Sequence, residues 1–243
     1  MDSLEALIFD VDGTLADTER DGHRIAFNKA FEDADLDWVW DVELYGELLS
    51  TTGGKERIKR YIKEHEKKEI LSTNLDEFVI ELHNVKTKHY KMMMEDGIIP
   101  LRPGVKDLIL DAKNNNIRLA IATTTTLENV TALLQNTLGL DSVSWFEHIG
   151  AGDVIPNKKP APDIYNWVLD KMQLDPNHVI AFEDSENGVF SAHSANIKNI
   201  IVTTNDYTIS HDFRSASLVL SSLSLEDHPT VDIKFLKNFF NKK

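Results

Sequence analysis

Cysteine is absent from the 243 residues, so disulfides, zinc–thiolate centres and cysteine nucleophiles are excluded at the outset. Positive charge is also scarce: 26 Lys and Arg stand against 40 Asp and Glu, a formal net charge of −14. Binding a nucleic-acid backbone relies on clustered Lys and Arg releasing counterions, and this balance decides against such a partner. An anionic small molecule stays compatible, provided local cations or a metal ion override the acidic field. Hydrophobic residues make up 42% and charged residues 27%, proportions of a soluble globular chain rather than a disordered or membrane-spanning one. Internal repeats and low-complexity segments are missing too. The first strand-like run, Leu4 to Phe9, begins almost at Met1, so no signal or transit peptide is expected in this sequence. The expectation is a cytoplasmic, monomeric enzyme.

Short continuous apolar runs at Leu7–Phe9, Leu119–Ala122, Val179–Phe182, Ile200–Val202 and Leu218–Leu220 suit buried parallel strands. Between them, apolar residues recur at helical spacing: Val105, Leu108, Ile109 and Ala112; Val130, Leu133 and Leu134; Ile164, Trp167 and Val168. Such alternation implies right-handed crossovers and an open, doubly wound α/β sheet. One stretch departs from it. From Thr18 to Gly97 no strand pattern is found, while Ile58, Tyr61, Ile62 and His65, then Leu75, Phe78, Val79, Leu82 and Val85, read as amphipathic helices. The expected organisation is a core of residues 1–17 and 98–243 with a helical cap, residues 18–97, inserted after the first strand. The turn-rich segment Pro100-Leu101-Arg102-Pro103-Gly104 returns the chain to the core.

Asp10-Val11-Asp12-Gly13-Thr14 follows the first buried strand directly. Open parallel sheets place ligand sites at the carboxyl ends of strands, so both carboxylates are expected in the crevice. Two carboxylates this close repel unless a cation sits between them or one takes a proton. One could attack an electrophile while the other exchanges protons with the attacking and leaving oxygens. Taken alone the segment reads equally well as a solvated Asp-Gly turn. Thr123 opens the run Thr123 to Thr126 at the end of the next core strand, and a hydroxyl there serves either as a donor to a phosphoryl oxygen or as a helix N-cap. Lys159 stands before Pro160, expected to open a helix, and supplies a compact charge suited to phosphate. Glu183-Asp184 ends the strand that begins at Val179, and hard oxygen ligands of this kind match Mg²⁺.

Asp-x-Asp-Gly-Thr, Thr, Lys-Pro and Glu-Asp occur in order, each at a strand end or the loop beyond it. In these four motifs the sequence resembles the haloacid-dehalogenase superfamily, and more narrowly its CbbY-like branch, over essentially the whole chain. The resemblance implies a Rossmann-like core with a helical cap and a Mg²⁺-dependent phosphatase. It makes Asp10 the nucleophile and Asp12 the acid/base, with Thr123 and Lys159 holding the transferring phosphoryl group and Thr124 beside them. Mg²⁺ would be bound by Asp10, the backbone carbonyl of Asp12 and Asp184, with Glu183 nearby or acting through water.

Specificity is expected in the cap, where Glu19, His23, Tyr45, Gly54, Lys55 and Arg57, together with Arg102 of the returning segment, combine hydroxyl-binding groups with positive charge. Several cations there suit a second phosphate, and the adjacent glycines of Gly53-Gly54-Lys55 let backbone amides converge on an anion. The resemblance points to xylulose 1,5-bisphosphate, hydrolysed to xylulose 5-phosphate. Phosphoglycolate phosphatases and β-phosphoglucomutases carry related caps and remain alternatives, as does a catalytically idle binding module.

Overall fold

The computed structural model of the protein describes residues 3–51, 53–65, 74–224 and 230–241. The chain divides into two units, Met1–Asp17 with Ile99–Lys243, and Thr18–Ile98. Among the described residues, no helix is long and apolar enough to cross a membrane.

The first unit is built on six strands: β1 (Ala6–Phe9), β2 (Arg118–Ala122), β3 (His148–Gly150), β4 (Val179–Glu183), β5 (Asn199–Thr203) and β6 (Leu218–Leu220). They pair in parallel in the order β3-β2-β1-β4-β5-β6. Strands β1, β4 and β5 are buried along their whole length, which explains the continuous apolar runs Ala6–Phe9, Val179–Phe182 and Ile200–Val202 within them. Alternate residues Ala6, Ile8, Ala120, Ala122, Val179, Ala181, Ile200 and Val202 form one core cluster with Ile164, Tyr165, Val168, Val189 and Ala192. Those partners come from helices α7 (Asp163–Met172) and α8 (Glu186–Ser194), which follow α5 (Val105–Asn114) and α6 (Leu127–Leu138) and precede α9 (Ile233–Phe240). Residues of the other parity point to the opposite face. There Phe9 stacks on Phe182 with centroids 4.7 Å apart, an arrangement worth about 0.5–1.5 kcal/mol beyond burial.

Strand β3 is not apparent in the sequence because it has only three residues, two of them half-buried, and so presents no apolar run. Helix α7 starts at Asp163 rather than at Pro160, since the Ala161 amide closes a turn onto the Lys158 carbonyl at 3.0 Å. Helices α6 and α8 start where side-chain oxygens accept orphan amides: Thr126 from Asn129, and Ser185 from Gly188. Register decides where chemistry can occur. Phe9 lies level with Ile121 on one side and Phe182 on the other, so Asp10, Thr123 and Glu183 emerge together where the sheet order reverses.

The second unit is all helical: α1 (Arg24–Asp33), α2 (Val42–Leu48), α3 (Gly54–His65) and α4 (Leu75–Glu95), with a π-helical turn at Thr18–His23 leading into α1. Its centre is aromatic. Phe27, Phe31, Trp38, Trp40, Tyr45 and Tyr61 meet at centroid separations between 4.7 and 6.2 Å. The buried stripe of α4 runs Val79, Leu82, Lys86, Tyr90, Met93, helical spacing with one lysine placed among apolar residues.

Candidate active site

Asp10, one residue beyond β1, is 6% exposed. Its Oδ1 accepts from Lys159 Nζ at 2.6 Å and its Oδ2 from Thr14 Oγ1 at 3.4 Å. The same ammonium donates to Glu183 Oε1 at 2.7 Å and lies 5.3 Å from the centre of the Tyr165 ring. The Tyr165 hydroxyl donates to the same Oε1, leaving Glu183 Oε2 buried without a hydrogen-bond partner among the described residues. Gly188 makes this possible, because a Cβ there would collide with the Glu183 carboxylate. Asp184 is buried beside them and accepts from Asn205 Nδ2 at 2.8 Å. Gly13, at φ +84°, passes directly beneath that carboxylate, where a side chain would meet both Asp184 and Asn205. Only glycine satisfies both the backbone conformation and the space.

One ligand oxygen from each of Asp10, Glu183 and Asp184 falls within a 4.8 Å set. Three carboxylates and one ammonium leave two negative charges uncompensated, and the environment registers this. Burial, then Asp10 and Glu183, push the Asp184 carboxyl well above the ordinary range. Burial also raises Glu183, to about 7, with Lys159 opposing and Asp10 adding. For Lys159, burial works against the charge but the two carboxylates outweigh it, holding the ammonium protonated throughout the working range. A divalent cation with hard oxygen preference fits this set in charge, donor type and the availability of Glu183 Oε2.

The other expected core residues lie around this centre. Asp12 is half-buried and forms a backbone bridge with Ala16. Thr123 is buried, anchored by its amide to the Gly150 carbonyl at 2.9 Å, and its Oγ1 accepts from the Thr125 amide; Thr124 is exposed. The N-cap role falls to Thr126 instead, so Thr123 is not committed to helix capping. Arg102 differs from its expected role as a substrate cation. Its guanidinium is buried, faces Asp17 at 3.3 Å, and donates to the carbonyls of Gly13, Thr203, Thr204 and Ser221. With both Nη atoms engaged by backbone carbonyls and Nε facing the Asp17 carboxylate, it braces the loops after β1, β5 and β6.

In the helical unit, the Tyr45 hydroxyl donates to Glu19 Oε2 at 2.6 Å and accepts from Arg57 Nη1 at 3.0 Å. Arg57 also reaches the Thr51 carbonyl. Gly54 opens α3 against His83 and Phe27, which leave no room for a Cβ, and Lys55 is exposed beside it. Burial would raise Glu19, yet His23, Arg57, Tyr45 and Lys86 together hold it low. Lys86, not singled out by any motif, meets His23 Nδ1 at 2.8 Å and lies 5.0 Å and 5.1 Å from the ring centres of Phe27 and Tyr90. Burial first lowers its ammonium to about 8, and burial likewise lowers His23 to about 4, so near neutral pH a cationic Lys86 faces a neutral imidazole. A lysine interrupting the apolar stripe of α4 is the signal that identifies it.

The haloacid dehalogenase-like hydrolase family pattern matches residues 4–196. Protein CbbY of Cereibacter sphaeroides is 44% identical over 221 residues, 91% of this chain and 93% of that one. A CBBY-like protein of Arabidopsis thaliana is 38% identical over 241 residues, 98% of this chain and 75% of that one. The crystal structure of a CbbY mutant from Rhodobacter sphaeroides in complex with xylulose-(1,5)bisphosphate matches at a TM-score of 0.72 and 43% identity, covering 90% of this chain and 94% of that one. On these grounds the chain belongs to the haloacid dehalogenase-like hydrolases, among their CbbY-like members, and is an enzyme that hydrolyses phosphate esters.

Proposed function

We propose that the protein is a Mg²⁺-dependent phosphatase of a sugar bisphosphate, xylulose 1,5-bisphosphate first among candidates, with Asp10 as covalent nucleophile. The observation that carries the reading is the shared ammonium of Lys159, held 2.6 Å from Asp10 and 2.7 Å from Glu183 beside a third buried carboxylate, a set whose charge calls for a divalent cation. The complex of a relative with xylulose-(1,5)bisphosphate supports the substrate class.

Asp10 attacks phosphorus in line, and the phosphoryl group passes to its carboxylate as the ester oxygen leaves. Asp12 donates a proton to that oxygen, then takes one from the water that releases inorganic phosphate. Lys159 and the Thr123 hydroxyl hold the equatorial oxygens as charge moves onto them. Asp10, the Asp12 carbonyl and Asp184 would hold Mg²⁺, with Glu183 able to add its unpartnered oxygen; bound there, the ion supplies Lewis-acid neutralisation of phosphoryl charge. In the helical unit, Arg57, Lys55 and Lys86 are the candidate cations for the second phosphate, and Glu19 and Tyr45 for sugar hydroxyls.

The test is a panel of sugar mono- and bisphosphates assayed for inorganic phosphate, run beside an assay for isomer formation from β-glucose 1-phosphate. The reading requires phosphate release, fastest with xylulose 1,5-bisphosphate. Isomer formation without net phosphate release would make the enzyme a mutase and overturn it.

A further inference from the structure

Asn205 lies two residues beyond β5, outside every motif recognisable in the sequence. Its amide has a determined orientation. The Tyr207 backbone N–H, which can only donate, bonds Asn205 Oδ1 at 3.0 Å, so the NH₂ is the side that faces Asp184 Oδ2 at 2.8 Å. The backbone around it is fixed as well. The Asn205 amide donates to Thr208 Oγ1 at 3.1 Å, and its carbonyl accepts from the Thr208 and Ile209 amides at 3.1 and 3.2 Å. Arg102 secures both sides of the contact, binding the Thr204 carbonyl before Asn205 and the carbonyl of Gly13 beneath Asp184.

We propose that Asn205 is a positioning residue of the metal centre: its amide anchors Asp184 Oδ2, and so directs the remaining carboxylate oxygen toward the cation shared with Asp10. The inference rests on the metal reading above. Asparagine suits the task because one planar group offers an acceptor to the turn and a donor to the carboxylate. An aspartate at 205 would set a second negative charge against Asp184, and a serine would be too short to reach it. Partners that orient metal ligands in this way change affinity for the ion without touching it.

The test is Mg²⁺ binding by calorimetry to the chelator-stripped full chain, in wild type, Asn205→Ala and Asn205→Ser. Serine can keep an oxygen for the Tyr207 amide, so Asn205→Ser removes the donor while preserving the turn. Its affinity for Mg²⁺ is expected to fall about ten- to a hundred-fold, with circular dichroism unchanged. In turnover, the Mg²⁺ concentration for half-maximal rate should rise by the same factor while kcat at saturating Mg²⁺ returns close to wild type. Wild-type affinity in Asn205→Ser would overturn the inference and leave the metal reading intact. A lowered kcat with unchanged Mg²⁺ dependence would overturn it too. No Mg²⁺ uptake by wild type itself would remove the metal reading, and this inference with it.

Discussion

Lys159 Nζ lies 2.6 Å from Asp10 Oδ1, although the two residues are 149 positions apart in the chain. In the proposed mechanism this ammonium screens Asp10 from its acidic neighbours and offsets charge developing on the phosphoryl group. Lys159→Met should therefore lower kcat about a hundred- to a thousand-fold, the usual loss for one charge-stabilising group. It should also cost the metal-free protein about 3–5 kcal/mol of stability, because two buried carboxylates lose their cation. Steady-state kinetics and urea unfolding check both, and an active, equally stable variant would refute the placement.

A second prediction follows from Glu183, whose carboxyl rises from 4.5 to about 7, chiefly through burial. Between those values the folded, metal-free protein binds a proton that the unfolded chain has released. This contribution to stability is thus present below pH 4.5 and is lost as pH rises through about 7. Across that window the Tm of wild type in chelator should fall relative to Glu183→Gln, and Mg²⁺ should restore it increasingly toward neutral pH. Parallel Tm profiles of the two proteins would contradict the assignment.

The helical unit offers a selectivity test. If Arg57 and Lys55 bind a distal phosphate, Arg57→Ala should lower kcat/KM for xylulose 1,5-bisphosphate about ten- to a hundred-fold, a charge-assisted contact of about 1.5–3 kcal/mol. Lys55→Ala should act in the same direction. An aryl phosphate lacks the second anion, so its kcat/KM should hardly change. Equal losses on both substrates would assign Arg57 to holding Tyr45 and Thr51 in place instead.

Arg102 separates two roles cleanly. It is a buried brace, and its replacement by Met removes the ion pair with Asp17 and the donors to the carbonyls of Gly13, Thr203, Thr204 and Ser221. A loss of about 3–5 kcal/mol is expected, read as a fall in Tm that bisphosphate does not reverse. A raised KM for bisphosphate at unchanged Tm would return Arg102 to the substrate.

The difference between what could and could not be read in advance has a physical basis. Strands β1, β4 and β5 are buried on both faces and therefore visible as apolar runs, and Asp10, Thr123 and Glu183 are tied to their ends by chain position alone. Strand β3 shows no pattern because its burial is partial. Lys86, Tyr165 and Asn205 are functional candidates only through the face or turn that presents them, which emerges once the helices and the sheet pack. Arg102 looks like a free cation until five acceptors from distant loops gather around it.

In the proposed mechanism Asp10 carries the phosphoryl group between substrate and water. Rapid acid quenching of wild type during turnover of xylulose 1,5-bisphosphate with Mg²⁺, followed by peptide mass spectrometry, tests it most directly. A phosphoryl group is expected on Asp10 in wild type, and in Asp10→Asn neither that adduct nor release of inorganic phosphate. Phosphate release by folded Asp10→Asn at more than about a tenth of the wild-type rate, or phosphorylation at a different residue, would contradict it.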